Sequence, residues 1–388
     1  MYCYRKVTDD LYWIGGNDRR LALFEGVYQI PRGVSYNSYL LMDEKTVLLD
    51  TVDKAVKGVF FENIEKVLDG RKLDYLVVHH MEPDHSEAIW EVVMRYPEVK
   101  IVCNAKIAQM MKQFFSFDVD ARVVLVKEGD TFHTGKHNLV FVSAPMVHWP
   151  EVMVEYEETE KILFSADGFG KFGALSAEEE WTDEARRYFI NIVGKYGVQV
   201  QTLLKKAAAL DIQTICPLHG PVLKENLGFY IGKYLTWSSY EPEEDGVLVA
   251  CASIHGNTKA AAEKMVEVLR ANGASKVVFM DLTRDDMAEA VADAFRYGKI
   301  ILAAASYDAG VFPPMEDFLH RLVHKNLQKR TFGLIENGSW APCAAKGMKG
   351  ILEGMKEVNI CENVVSIKST MKDTDVAKME ELAKEILA

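Results

Sequence analysis

The chain of 388 residues carries 57 acidic against 45 basic side chains, a formal net charge of -12, and 49% hydrophobic residues. That length exceeds one ordinary core, so two domains are expected, and the apolar content is that of a packed protein rather than a disordered one. The acidic balance argues against sequence-independent nucleic-acid binding and against an anionic membrane surface, both of which need a basic face.

No stretch approaches the ~20 consecutive apolar residues of a membrane span. The opening MYCYRKVTDD lacks the basic-then-apolar order of a secretion signal, so a cytoplasmic protein is expected. Six cysteines, at 3, 103, 216, 251, 343 and 361, stand singly without a Cys-x-x-Cys pair, which predicts that most are buried thiols and that there is no rubredoxin-type or zinc-ribbon site.

Up to about residue 235, β-rich runs alternate with helical stretches: TVLLDTV at 46–52, DYLVVHH at 74–80, LVFVSAP at 139–145, VMVEYEE at 152–158 and KILFSAD at 161–167. The last two are close enough to form a hairpin, so part of this sheet is expected to be antiparallel. SSYEPEEDG at 238–246 breaks the apolar rhythm and reads as a linker between domains at 1–245 and 246–388. From 247 five near-continuous apolar strands each precede a helix, over about 257–272, 285–296, from 314, 343–357 and from 373. This pattern predicts a parallel sheet covered on both faces.

The densest chemistry follows DYLVV, where His80, Glu82, Asp84 and His85 offer four candidate ligands within six residues. His148, Asp167 and His219 follow other strand ends, where α/β proteins place their sites. Four imidazoles and three carboxylates suffice for two metal ions. His79, out of phase with the motif, reads as a core residue, and His133, His137, His320 and His324 as surface residues.

The spacing resembles the metallo-β-lactamase superfamily, whose first motif is His-x-His-x-Asp-His, except that Glu82 stands where hydrolases have a second histidine. An anionic oxygen donor there makes the site harder and favours iron or manganese over zinc. The His-x-Glu-x-Asp-His variant is similar to that of the flavodiiron proteins. That resemblance implies an αββα sandwich with His80, Glu82 and His148 on one iron, Asp84, His85 and His219 on the other, and Asp167 bridging, with Glu82, His148 and Asp167 as catalytic candidates.

In the second domain Ser253, Ile254, His255, Gly256, Asn257 and Thr258 join the first strand to its helix. Backbone N–H groups at such a helix start form a nest for a phosphate, and the absence of Gly-x-Gly-x-x-Gly favours a mononucleotide over NAD or FAD. Ser306, Tyr307, Asp308, Ala309 and Gly310 follow the third strand, and Asn337, Gly338, Ser339 and Trp340 the fourth. In flavodoxin-like folds these positions grip an isoalloxazine ring, so FMN is expected in a flavodoxin-like doubly wound sheet. The run Glu-Asn-Gly-Ser-Trp-Ala-Pro at 336–342 extends the flavodiiron resemblance over essentially the whole chain.

The resemblance implies reduction of O2 to water, of NO to N2O, or both, at a non-haem diiron site fed by FMN. Four electrons for O2 match two from a flavin and two from a diferrous pair. It also implies an external donor, rubredoxin or a reduced deazaflavin coenzyme, and a head-to-tail homodimer or higher homo-oligomer. The alternative is a zinc-dependent hydrolase with an accessory flavodoxin-like electron-transfer domain. Glu82 and the second domain argue against it.

Overall fold

In the computed structural model, which describes residues 3–177 and 180–388, the chain divides into two units, Met1–Phe189 with Val198–Leu235, and Ile190–Gly197 with Thr236–Ala388.

The first unit holds two main sheets. One runs Arg5–Lys6, Leu11–Trp13, Tyr39–Met42, Thr46–Leu49, Tyr75–Val77, Lys100–Cys103 and Val123–Leu125, antiparallel as far as Thr46–Leu49 and parallel beyond. The other runs Thr131–His133, Asn138–Ser143, Met153–Glu157, Ile162–Phe164 and Thr214–Cys216, antiparallel except for its last pair. The expected hairpin forms, with Glu155 opposite Phe164 and Glu157 opposite Ile162. Tyr39 meets Phe164 at 5.6 Å and Tyr75 meets Phe132 at 4.8 Å between ring centroids, so aromatic side chains of the two sheets pack against each other.

Helices supply the outer layers. Helix Ala105–Phe114 starts where the Asn104 side chain accepts from the N–H groups of Lys106 and Ile107, and it buries Ile107, Ala108 and Met111 at helical spacing. Helix Lys57–Leu68 buries Phe60, Phe61, Ile64 and Leu68 and stops at Asp69, which takes a left-handed conformation. The short strands between Arg5 and Met42 were not anticipated. Most are two or three residues long, too short for an alternating pattern to register.

His137 is a correction. Expected at the surface, it is 1% exposed. Its Nδ1 lies 3.1 Å from Glu157 and its Nε2 3.3 Å from Asp10, a pairing of residues distant in sequence. His79 is the core residue expected: its backbone N–H and its ring Nδ1 both meet the Asp50 carboxylate.

The second unit is a parallel sheet in the order Val277–Asp281, Glu244–Ala252, Tyr297–Tyr307, Gln328–Asn337, Lys356–Ile367, with the two-residue strand Gly310–Val311 folded back on the third. The second strand thus lies outside the first and the others follow on the opposite side, as doubly wound folds require. Helix Asn257–Ala271 packs Ala261, Ala262, Met265 and Leu269 against Val249, Ile301 and Ile335 of the sheet. The helix expected over 343–357 ends at Leu352 and a strand begins at Lys356. Gly350 and Gly354 weaken the helix, and Val358 and Ile360 favour the extended chain that follows.

Arg330 is the most demanding buried group of this unit. It is 2% exposed and donates to the carbonyls of Ala294, Phe295, Tyr240, Gln328 and Lys329. Burial pulls its guanidinium pKa down to about 10. Arg330→Met strands those carbonyls and is expected to destabilise the unit by about 3 kcal/mol. Urea unfolding followed by circular dichroism checks this, and an unchanged midpoint contradicts it. No helix among the described residues is long and apolar enough to cross a membrane.

Candidate metal centre and flavin pocket

All seven expected ligands converge in the first unit. The parallel strand Tyr75–Val77 delivers the chain to His80. Glu82 is then extended, as a residue before proline must be, and Pro83 starts the single turn Pro83–Ser86. His85 N–H and Ser86 N–H both donate to the Glu82 carbonyl and lock that turn. The change from extended to helical backbone sends His80 and Glu82 to one cluster and Asp84 and His85 to another.

The first cluster is His80, Glu82, His148 and Asp167. Glu82 Oε2 lies 3.3 Å from His80 Nε2 and 3.0 Å from His148 Nε2. The second is Asp84, His85 and His219. The Nε2 atoms of His85 and His219 stand 3.1 Å apart, and Asp84 Oδ2 lies 3.2 and 3.3 Å from them. Asp167 joins the two. Its Oδ2 is 3.4 Å from both His80 Nε2 and His148 Nε2, while its Oδ1 is 3.3 Å from His85 Nε2 and 3.6 Å from His219 Nε2.

These residues fit cations. Both oxygens of Asp84 and of Asp167 are buried without a hydrogen-bond partner, which is costly unless something positive completes them. Two ring nitrogens 3.1 Å apart suit donors to one ion at ~2.0–2.1 Å each. The far sides of two rings are also fixed. His80 Nδ1 lies 2.8 Å from Glu151, and His219 Nδ1 lies 2.7 Å from the Ser35 carbonyl, to which it must donate, so that Nε2 keeps its lone pair for the site. Without a cation the neighbouring carboxylates favour the protonated rings of His80, His85 and His148. Burial opposes an imidazolium at His148, yet Asp167 and Glu82 keep its pKa up at about 9. Burial likewise works against the anion of Asp167, but His148 and His85 hold its carboxyl well below the usual range.

Sequence reasoning missed Glu151, the fully buried carboxylate that orients His80 and also accepts from Met81 N–H at 3.0 Å. Its signal was an acid among apolar residues three positions after His148. Glu151→Leu removes both bonds and is expected to weaken iron binding about 10–100-fold. Competition with a chelator measures this, and equal retention contradicts it. Trp149 sets its ring edge-on to His80 at 5.2 Å and to His148 at 6.2 Å, so it walls the site. Met146 and Ala166, just before the candidate ligands His148 and Asp167, have positive φ of 65° and 50°. Such non-glycine strain, about 1–3 kcal/mol each, gathers at functional loops.

The second unit carries a cavity of about 630 Å³ at the carboxyl ends of its strands, within the ~300–1,000 Å³ of small-molecule sites. Its wall includes Ser253, Ile254, His255, Asn257, Thr258, Ser306, Tyr307, Asp308, Ala309, Asn337, Gly338, Ser339 and Trp340. Gly256 is not on the wall. At φ +93° it provides the left-handed turn before helix Asn257–Ala271, and its N–H donates to Ser253 Oγ. Gly310 pairs with Tyr307 behind the wall.

Two of the expected contacts serve the loops. Ser306 Oγ accepts from the N–H groups of Cys343 and Ala344, and the Asn337 amide exchanges two bonds with the Ser369 backbone. Cys343 and Ser369 line the cavity and were not anticipated. Tyr307 and Trp340 are 44% and 89% exposed there, aromatic faces available to a planar ring. A Cβ on Gly338 would stand 2.9 Å from Pro342 Cα, so only glycine fits. A helix start with free N–H groups beside two exposed aromatics fits FMN.

A family model described as ODP family beta lactamase matches residues 34–220. A nitric oxide reductase of Moorella thermoacetica is 28% identical over 98% of this chain and 98% of its own length. The solved rubredoxin oxygen:oxidoreductase of Desulfovibrio gigas is 27% identical and superposes with a TM-score of 0.92 over 99% of this chain and 98% of that one. The flavodiiron protein of Giardia intestinalis, at 22% identity, shares the fold with a TM-score of 0.89 over 100% of this chain and 97% of its own. The pairing of the two-cluster centre with the flavin-sized pocket, and these full-length likenesses, give the chain the flavodiiron-protein architecture, a metallo-β-lactamase-like domain fused to a flavodoxin-like domain.

Proposed function

We propose that this protein is a flavodiiron oxidoreductase that reduces O2 to water, NO to N2O, or both, with two irons held in residues 1–245 and FMN in residues 246–388. The observation that carries the reading is the placement of Asp167, one carboxylate oxygen toward each histidine cluster. In this assignment His80, Glu82 and His148 hold one iron, Asp84, His85 and His219 the other, and Asp167 bridges. When bound, the iron pair would activate the gas and the flavin would supply electrons.

The chain's own residues prepare that chemistry. Glu151 and the Ser35 carbonyl orient His80 and His219, and three carboxylates offset much of the ions' charge. Trp149 covers His80 and His148 with an apolar edge that keeps bulk water away. The names of the relatives pair one with rubredoxin and O2 and another with NO, which supports both gases and an external electron donor here. We assign the donor as rubredoxin or a reduced deazaflavin coenzyme, since these 388 residues contain no Cys-x-x-Cys pair. We assign the competent unit as a head-to-tail homodimer.

The test is gas consumption by anaerobically purified protein loaded with iron and FMN and supplied with reduced rubredoxin. Loss of O2 without accumulating peroxide, or loss of NO with N2O in the headspace, is expected. Consumption of neither gas overturns the reading.

A further inference from the structure

A second cavity, of about 30 Å³, lies inside the first unit between the five-stranded sheet and helix Gly197–Ala207. Val154 and Leu163 line it from the sheet, Val200 and Leu204 from the helix, and Val147 and Phe169 from loops. A water needs only ~10–15 Å³ of such space, but it also needs two to four polar partners. The wall supplies few. Ser165 Oγ donates to the Gly168 carbonyl, and the Tyr234 hydroxyl already accepts from Phe169 N–H. The space therefore favours a small uncharged molecule over water, and at about 30 Å³ it is far smaller than the ~150 Å³ apolar cavity that takes benzene.

Its position gives it a use. Val147 directly precedes His148, and Gly168, also on the wall, directly follows Asp167, so the wall includes parts of two loops that carry candidate ligands. Its wall is mixed in burial: Val147, Val154 and Phe169 are buried, whereas Val142, Leu203, Ala207 and Leu210 are partly exposed. A diatomic gas gives up little hydration on entering such a passage, while ions and water face the full cost of leaving solvent.

We propose that this cavity admits and holds a diatomic gas on its way to the ligand loops, a role that rests on the gas-reductase reading. Crystals of the FMN- and iron-loaded protein pressurised with xenon should show a xenon atom between Leu163 and Leu204, and an empty cavity overturns the proposal. Ala207→Trp, at a partly exposed wall position, and Leu204→Phe, at a buried one, should each displace xenon while keeping iron and FMN. Each should lower kcat/KM for the gas about fivefold with kcat at saturating gas unchanged. Displaced xenon with unchanged kcat/KM removes the cavity from the route. If the unaltered protein consumes neither gas, the catalytic reading falls and delivery with it, whereas xenon bound in that protein would still establish a gas-binding cavity.

Discussion

Asp167→Ala protein is expected to keep its FMN and lose gas reduction by on the order of a thousandfold, about 4 kcal/mol of transition-state stabilisation. The reason is geometric. Asp167 is 1% exposed, and its two oxygens approach four imidazole nitrogens at 3.3–3.6 Å, two in each cluster. No other described side chain contacts both clusters in this way, so in the proposed assignment its loss would remove one donor from each ion and the link between them. The flavin pocket is built from another part of the chain, which is why flavin content is the internal control. Iron and flavin analysis with gas-electrode rates checks the expectation. An active variant with full iron would remove the bridge from the account.

Glu82→His should move the centre from iron toward zinc and lower the iron-dependent rate by at least about tenfold, because an imidazole is a softer, neutral donor than a carboxylate. Glu82 reaches both His80 and His148 within 3.3 Å, so a side chain at this position addresses the first cluster directly. Burial opposes its charge, yet His148 and His80 hold its carboxyl far below the ordinary range, so the site contains an anion at neutral pH. The substitution removes that anion. Expression in medium containing both metals, followed by elemental analysis, gives the answer, and unchanged iron loading with unchanged gas reduction would refute it.

Much of this was legible beforehand because strand ends and short motifs carry their own geometry. The fourfold ligand run at 80–85, the strand-end positions of His148, Asp167 and His219, and the three loops after the first, third and fourth C-terminal strands all lie where local sequence sets the backbone. Glu151 was missed because a residue that acts through another has no spacing of its own. His137 was misplaced for a related reason: its partners Asp10 and Glu157 lie far from it in sequence, and nothing local announces them. The three loops do line one cavity of the second unit, but the bonds of Ser306 and Asn337 were not legible, since they run to Cys343, Ala344 and Ser369 across turns that only the folded chain brings close. The helix ends at Leu352 rather than near 357 because apolar spacing alone does not mark a stop, whereas Gly350 and Gly354 weaken the helix there.

The most direct test of the account is the metal and flavin content of anaerobically purified protein, by elemental analysis and by absorbance of the released flavin. About two irons and one FMN per chain are expected from a two-metal site joined to a mononucleotide pocket. Zinc in place of iron, with FMN still bound, would leave the fold as described and contradict the assignment as a gas reductase.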